Sequence, residues 1–583
     1  MFGPFTLYLR PYYRQLLAGL LMILLAQAAG SMIPMLTGEA VNAIDPSAPQ
    51  LGDRLGLIHG YVIQIAALAL GMAVCNHFMR RLTGGASAGI EYDIRKQYFA
   101  HLLKMPLSFY QQQSTGDLMS RATNDLNAVR IFFTYGLRSL AEALAILFFS
   151  IAMMVAIDWR LALFVLVPMP IFSLLLIRMA SLVHNRFRTI QDFFGHISTF
   201  IQENVAGIRI VKAYAQGPSQ LAAFDELNQE YLQKNYHLTR THAVYHPMSA
   251  VISSVGLGLI LWFGGKQVIA GNLSLGDFVA FNGYLTMLIR PLSFIGWVID
   301  RFQRSLVAMR RINEIMEIQP EIRDRAPALL LKGKEVEGRV SFRNLDFSYG
   351  DSPVLRGIDL EIPAGSTLGV VGRVGAGKTT LARLIPRLIE AGPSQLLIDG
   401  TPVEEWPLEE LRQAIGYVSQ SPFLFSDTIR ANLAYGAPDA SEEQILLAAE
   451  QAQLRQDVEA FPDGFGTLIG ERGVTLSGGQ KQRGTLGRAL ILQPRILILD
   501  DALSAVDTHT EEAILGHLRQ VMKGRTTLLI AHRISTLRDA DHIVVLDEGR
   551  ITEQGGHEQL LALGGLYADL FRRQQLAAEL ETL

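Results

Sequence analysis

Apolar residues crowd the first 300 or so positions in long runs, then give way to short strand-like runs punctuated by turns. The stretches 16–37, 57–79, 136–157, 160–180, 246–265 and 278–299 each approach the ~20 residues needed to cross a bilayer. "LLAGLLMILLAQAAGSMIPML" and "LAEALAILFFSIAMMVAI" read clearly, whereas the last two stretches carry more polar residues and have softer edges. Six such stretches in one half of a chain are hard to bury without lipid, so they predict six membrane helices. Between them, "YDIRKQYFAHLLKM" and "ISTFIQENVAGIRIVKAYAQ" keep apolar positions at helical spacing, which predicts helices running on beyond the bilayer as paired stalks.

The charged, Pro-containing stretch "RRINEIMEIQPEIRDRAPALLLKGKEVEG" suits a linker. After it "RVSFRNLDFSYG" and "GIDLEIPAGSTLGVVG" read as strands and "KTTLARLIPRLIEAG" as a helix. The expected organisation is a membrane domain over 1–318, a linker over 319–337 and a soluble α/β domain over 338–583.

Composition agrees with this division. Hydrophobic residues make up 49% and mean hydropathy is +0.23, high for a soluble enzyme. A net charge of −3 offers no basic footprint for nucleic acid. The single Cys75 excludes an internal disulfide and reads as a packed, inert thiol. Arg80, Arg81, Arg95, Lys96, Lys104, Arg121 and Arg130 follow the second stretch, and Arg186, Arg188, Arg209, Lys212, Lys234 and Arg240 follow the fourth. The positive-inside rule then places both long loops and both termini in the cytoplasm. "FTLYLRPYYRQLL" reads as an interfacial helix rather than part of a cleavable signal, and the lack of an organelle transit segment favours a prokaryotic cell membrane. Glu142, Arg178 and Arg290 lie in or near apolar stretches. Such groups are functional candidates, with an inter-helix ion pair or an Arg reaching the interface as the plainer reading.

Chemistry concentrates in the soluble half. "GRVGAGKT", Gly372 to Thr379, fits G-x-x-x-x-G-K-[ST] directly after an apolar strand and before a helix. Its glycines let backbone N–H groups curl around phosphate, the helix N-terminus favours an anion, Lys378 reaches the terminal phosphates, and Thr379 ligates Mg²⁺. "ILILDDALSAVD" (496–507) closes a buried strand on two carboxylates. Asp500 is placed to hold Mg²⁺ and Asp501 to face an attacking water, with helix capping as the plainer role for Asp501. In "LSGGQKQRGTLGRAL", Ser477, Gly478 and Gly479 would open a helix and so offer a second anion site. One nucleotide cradle plus one spare phosphate-binding helix makes sense if two chains close each other's sites.

In order, these motifs resemble a half-size ATP-binding cassette (ABC) exporter, over nearly the whole chain. The resemblance implies a six-helix transmembrane domain followed by an α/β P-loop ATPase domain. It implies ATP and Mg²⁺ as ligands and a second half-transporter as partner. Tyr349 in "FSYG" resembles the aromatic that stacks on adenine. Gly372 through Gly375, Ala376, Gly377, Lys378, Thr379 and Thr380 resemble the phosphate loop. Gln420 resembles the glutamine joining Mg²⁺ to the membrane domain. "TLIGERG" around Glu471 is similar to an exporter-type segment, and Leu476, Ser477, Gly478, Gly479 and Gln480 to the signature. Asp507 resembles the dimer-contact residue and His532 the switch histidine. Coupling helices are implied within 106–125 and 208–220.

One position departs. Active members carry Glu after the Mg²⁺ aspartate, and this chain has Asp501. Slow hydrolysis at its own phosphate loop is expected, as in one half of a heterodimeric exporter. The rivals are a homodimer with Asp501 as slow base and a membrane-bound regulatory ATPase. An importer is disfavoured because the ATPase is fused. The cargo class implied is a drug, lipid or peptide.

Overall fold

Long helices build the first part of the computed structural model, which describes residues 6–44, 54–324, 333, 335–470, 476–503 and 508–582. The chain divides into two compact units, Met1–Leu102 with Thr115–Ile318 and Leu103–Ser114 with Gln319–Leu583. The first unit holds the helices α1 (Tyr13–Ile44), α2 (Arg54–Leu102), α3 (Thr115–Ile157), α4 (Pro168–Ala206), α5 (Gly217–Leu259) and α6 (Leu275–Met316). Among the described residues the three helices over Arg10–Ile44, Arg54–Leu102 and Thr115–Ile157 are long and apolar enough to cross a membrane, and a shorter apolar helix covers Ser254–Ile269. Ile63, Leu70 and Phe148 are each 68% exposed, so these helices turn apolar side chains outward, as suits contact with lipid.

Polar contacts fix the helix pairs locally. Asp158 ends α3 and caps the short helix Trp159–Leu166, its carboxylate accepting from the N–H of Arg160 (2.8 Å) and Leu161 (3.2 Å). At the α1–α6 contact, Tyr284 Oη donates to the Ser31 carbonyl (2.7 Å) and the Gly276 N–H donates to Asn42 Oδ1 (2.6 Å). A Cβ on Gly276 would run into the Gly38 carbonyl, so this crossing requires glycine. The expected stalk pairing is present in α4 and α5: Arg186 donates to the His237 carbonyl (2.6 Å), and Phe200 stacks with Phe224. Glu142 pairs with Arg138 one turn earlier on α3 at 3.2 Å. The Arg290 side chain lies outside the described residues.

The second unit contains two sheets. An antiparallel sheet has the order β2-β1-β4-β5, with β1 Val340–Tyr349, β2 Ser352–Ile362, β4 Leu396–Ile398 and β5 Thr401–Pro402. A six-stranded sheet has the order β10-β9-β3-β8-β7-β6. Its members are β3 Thr367–Gly372, β6 Ile415–Val418, β7 Ile496–Asp500, β8 Thr526–Ile530, β9 His542–Asp547 and β10 Arg550–Gly555. All its pairings are parallel except β9 with β10. Every residue of β3, β7 and β8 is buried, which is why these strands read as continuous apolar runs. Trp406 is fully buried in the same core and donates its indole N–H to the Ile398 carbonyl (3.2 Å). Trp406→Ala is therefore expected to cost about 3–5 kcal/mol, read as a lower melting temperature of the purified protein.

Candidate active site

Four neighbouring strands of the parallel sheet deliver the predicted groups to one edge. In the order β3, β8, β7, β6, their carboxyl ends lead into the phosphate loop, His532, the Asp500–Asp501 pair and Gln420. Ligands of open α/β sheets bind at that edge. Lys378, Thr379, Thr380, Gln420, Asp500, Asp501 and His532, with Gly375 and Gly377, line one open cleft of about 290 Å³.

The phosphate loop leads into α7 (Lys378–Leu384). Gly375 and Gly377 have φ of +86° and +99°, and a Cβ on Gly377 would lie 2.6 Å from Leu355 Cδ2, so the turn needs glycine. Ala376 and Thr380 are buried and Val374 points outward. Lys378 is buried, its Nζ donating to the carbonyls of Gly372 (2.8 Å) and Arg373 (2.9 Å). Burial pushes its pKa down, opposed by the charges of Asp500 and Asp501.

Asp500 ends β7 and is 2% exposed. Its Oδ1 accepts from the Thr379 hydroxyl at 3.1 Å, while its Oδ2 is buried with no hydrogen-bond partner. Burial raises its pKa, partly offset by the Thr379 bond and by the charges of Arg383 and Lys378. A buried carboxylate oxygen without a partner, beside a threonine hydroxyl, fits a hard divalent cation such as Mg²⁺.

Asp501 is buried and sits in the left-handed region, with φ of +51°. Its N–H donates to the Ile530 carbonyl (2.9 Å), and its own carbonyl accepts from Gln482 Nε2 (3.0 Å). These two bonds hold the backbone while its Oδ2 faces Gln420 Nε2 at 3.4 Å and His532 Nε2 at 3.8 Å. Gln482, buried within the signature stretch, is a residue that sequence reasoning passed over. Nothing in its spacing announces a bond to a backbone carbonyl on another element.

Ser477 caps α8 (Gly478–Leu490) in a reciprocal box: its Oγ accepts from the Gln480 N–H (3.2 Å), and Gln480 Oε1 accepts from the Ser477 N–H (3.0 Å). Gln480 and Arg483 both donate to the Asp457 carboxylate, at 3.2 and 2.6 Å, and so anchor this helix start. Ser477 and Gly478 are exposed there. Tyr349 is not among the residues lining the cleft. It is half-buried at the end of β1, edge-on to Phe347 and hydrogen-bonded to Arg383. Asp507 and Glu471 lie outside the described residues.

Residues 16–292 match the family profile of the ABC transporter transmembrane region, and residues 355–504 that of the ABC transporter. The chain belongs to the ABC transporter family. It is 34% identical to the "Probable multidrug resistance ABC transporter ATP-binding/permease protein YheI" of Bacillus subtilis, covering 98% of this chain and 97% of that protein. It is 36% identical to the "ATP-dependent lipid A-core flippase" of Chromobacterium violaceum, covering 97% and 96%. Among solved structures, a bacterial Atm1-family ABC exporter with ATP bound superposes with a TM-score of 0.77 at 28% identity, covering 97% of this chain and 99% of that one. This ABC exporter thus joins an N-terminal transmembrane helical domain to an α/β nucleotide-binding domain, binds ATP and couples its hydrolysis to transport.

Proposed function

We propose that this ABC exporter chain is one half of a heterodimer that moves drugs, lipids or peptides out across the cell membrane, and that its own hydrolysis site is slow. Asp501 carries this reading. Its side chain is one C–C bond shorter than glutamate, setting its carboxylate up to ~1.5 Å farther from a water placed for Glu. Displacement of about 1 Å costs on the order of 10²-fold in rate. The capped, exposed start of α8 remains fit to complete a site on a partner that supplies glutamate.

In this scheme Gly372, Gly375, Ala376, Gly377, Lys378, Thr379 and Thr380 cradle the phosphates and Tyr349 meets the adenine. Ser477, Gly478, Gly479, Gln480 and Asp507 serve the nucleotide held by the partner. Thr379, Asp500 and Gln420 would hold Mg²⁺, which supplies neutralisation of charge on the phosphates. Asp501 receives the proton of the attacking water, with His532 beside it. Nucleotide shared between two cassettes favours their closure, and hydrolysis removes the shared contacts and lets them part. The helices over 1–318 then reorient a cavity from inside to outside, the linker over 319–337 joins them to the cassette at 338–583, and both termini lie in the cytoplasm of a prokaryote. The names of the multidrug and lipid A relatives support the cargo class.

ATP-driven uptake into inverted vesicles tests transport, and a chain that hydrolysed ATP with its partner but moved no substrate would be a regulatory ATPase instead. Coupling is assigned to parts of 106–125 and 208–220, where the short helices Leu107–Gln112 and Ile208–Ala213 fall. Arg209→Glu is expected to leave hydrolysis within about twofold while uptake falls roughly tenfold. Normal uptake by that variant would remove the assignment. A homodimer with Asp501 as slow base is the second reading, favoured by Gln420 and His532 both facing Asp501 Oδ2.

A further inference from the structure

The helix that follows Gly565 reaches the switch histidine through one side chain. This helix, α9 (Leu566–Thr582), is anchored at its start. The N–H groups of Leu566 and Tyr567 donate to the Glu553 carboxylate (2.5 and 3.2 Å), and the fully buried Tyr567 ring bonds through its hydroxyl to His557 Nδ1 (2.7 Å). About two turns farther on, Gln574 Nε2 donates to the His532 carbonyl at 2.6 Å, and Gln574 Oε1 accepts from the Ile534 N–H at 2.9 Å. Both contacts require the same orientation of the amide, since a flip would set oxygen against oxygen and N–H against N–H.

The two bonds grip the backbone on either side of Arg533. The His532 side chain is 44% exposed, and its Nε2 stands 3.8 Å from Asp501 Oδ2, beyond hydrogen-bond range. Among the described residues, the 2.6 Å bond to its main-chain carbonyl holds it more closely than this 3.8 Å contact of its ring. We infer that Gln574 is a positioning residue for His532, setting the histidine against the phosphate site through a bidentate clamp on the switch-loop backbone. This rests on His532 acting at that site, as proposed above. The grip also ties α9 to the catalytic edge of the sheet, so whatever displaces α9 loosens the histidine.

The test is a double-mutant cycle on the full chain in its dimeric assembly in lipid nanodiscs. It follows phosphate release at this chain's own site in a single turnover over a range of ATP concentrations. Gln574→Leu is expected to slow release about tenfold, with half-saturating ATP changed less than about twofold, because the phosphate loop is untouched. In a His532→Ala background the same substitution is expected to cost nothing further, because the group it positions is gone. Gln574→Glu keeps an acceptor for Ile534 but faces the His532 carbonyl with an anion, and is expected to match the leucine variant. It carries the same test if that variant does not purify. Release within twofold of the parent for the Gln574 variants, or an undiminished cost in the His532→Ala background, overturns the clamp while leaving the histidine's role intact. Unchanged release by His532→Ala alone overturns both.

Discussion

Lys378→Ala is expected to lower ATP hydrolysis at this chain's phosphate loop by about 10²–10³-fold, the scale seen when a single preorganised donor is lost. The lysine is the first residue of α7, buried, with its ammonium fixed at two loop carbonyls. Its charge therefore stands ready at the helix N-terminus, where backbone N–H groups also converge on phosphate. Alanine removes the charge and leaves those carbonyls facing an anion. Weaker nucleotide binding accompanies the slower rate, so titration with a fluorescent ATP analogue and a phosphate-release assay both report it. Binding and hydrolysis within twofold of wild type would show that the glycine loop alone carries the phosphates.

Asp501→Glu is the second large effect, and it is a gain. The backbone at this position is held by Ile530 and Gln482 through bonds that do not involve the side chain. The added methylene therefore advances the carboxylate rather than shifting the chain. Its reach grows by up to ~1.5 Å toward a water placed for glutamate. ATP trapped at this chain's loop is then expected to turn over about 10²-fold faster. Rapid separation of the assembled dimer from free nucleotide, followed by the decay of retained ATP, measures it. Equal decay in both forms would mean that carboxylate length is not what limits the site.

How far the sequence carried these conclusions depends on the range of the interactions involved. The phosphate loop, the cap of α8 and the strand ending in Asp500 are set by residues within a few positions of one another, so spacing alone located them. The Arg138–Glu142 pair is equally local, four residues apart on one helix, although an inter-helix partner was the expectation for Glu142. The meeting of Gln420 and His532 with Asp501 is different. It depends on the strand order β3-β8-β7-β6, which no local pattern encodes, and it came from the family resemblance. Gln482 and Gln574 were illegible for a related reason. Each acts by bonding a distant backbone group, and an amide on a helix face looks the same whether it meets water or a carbonyl. Tyr349 shows the opposite limit, since its motif was plain while its ring lies outside the cleft lining. The membrane half was readable where hydropathy is uniform, in α1 to α3, and softer where polar residues interrupt the later helices.

The central claim is that Asp501 makes this chain's own site slow and its function dependent on a partner. The most direct measurement is ATP hydrolysis by the chain purified alone, beside its Asp501→Glu variant. The account predicts negligible turnover by both, with activity restored by a second half-transporter that carries glutamate. A large gain in the variant purified alone would contradict the dependence on a partner, and turnover by the unmodified chain alone at the ~10 s⁻¹ typical of enzymes would contradict the slow site.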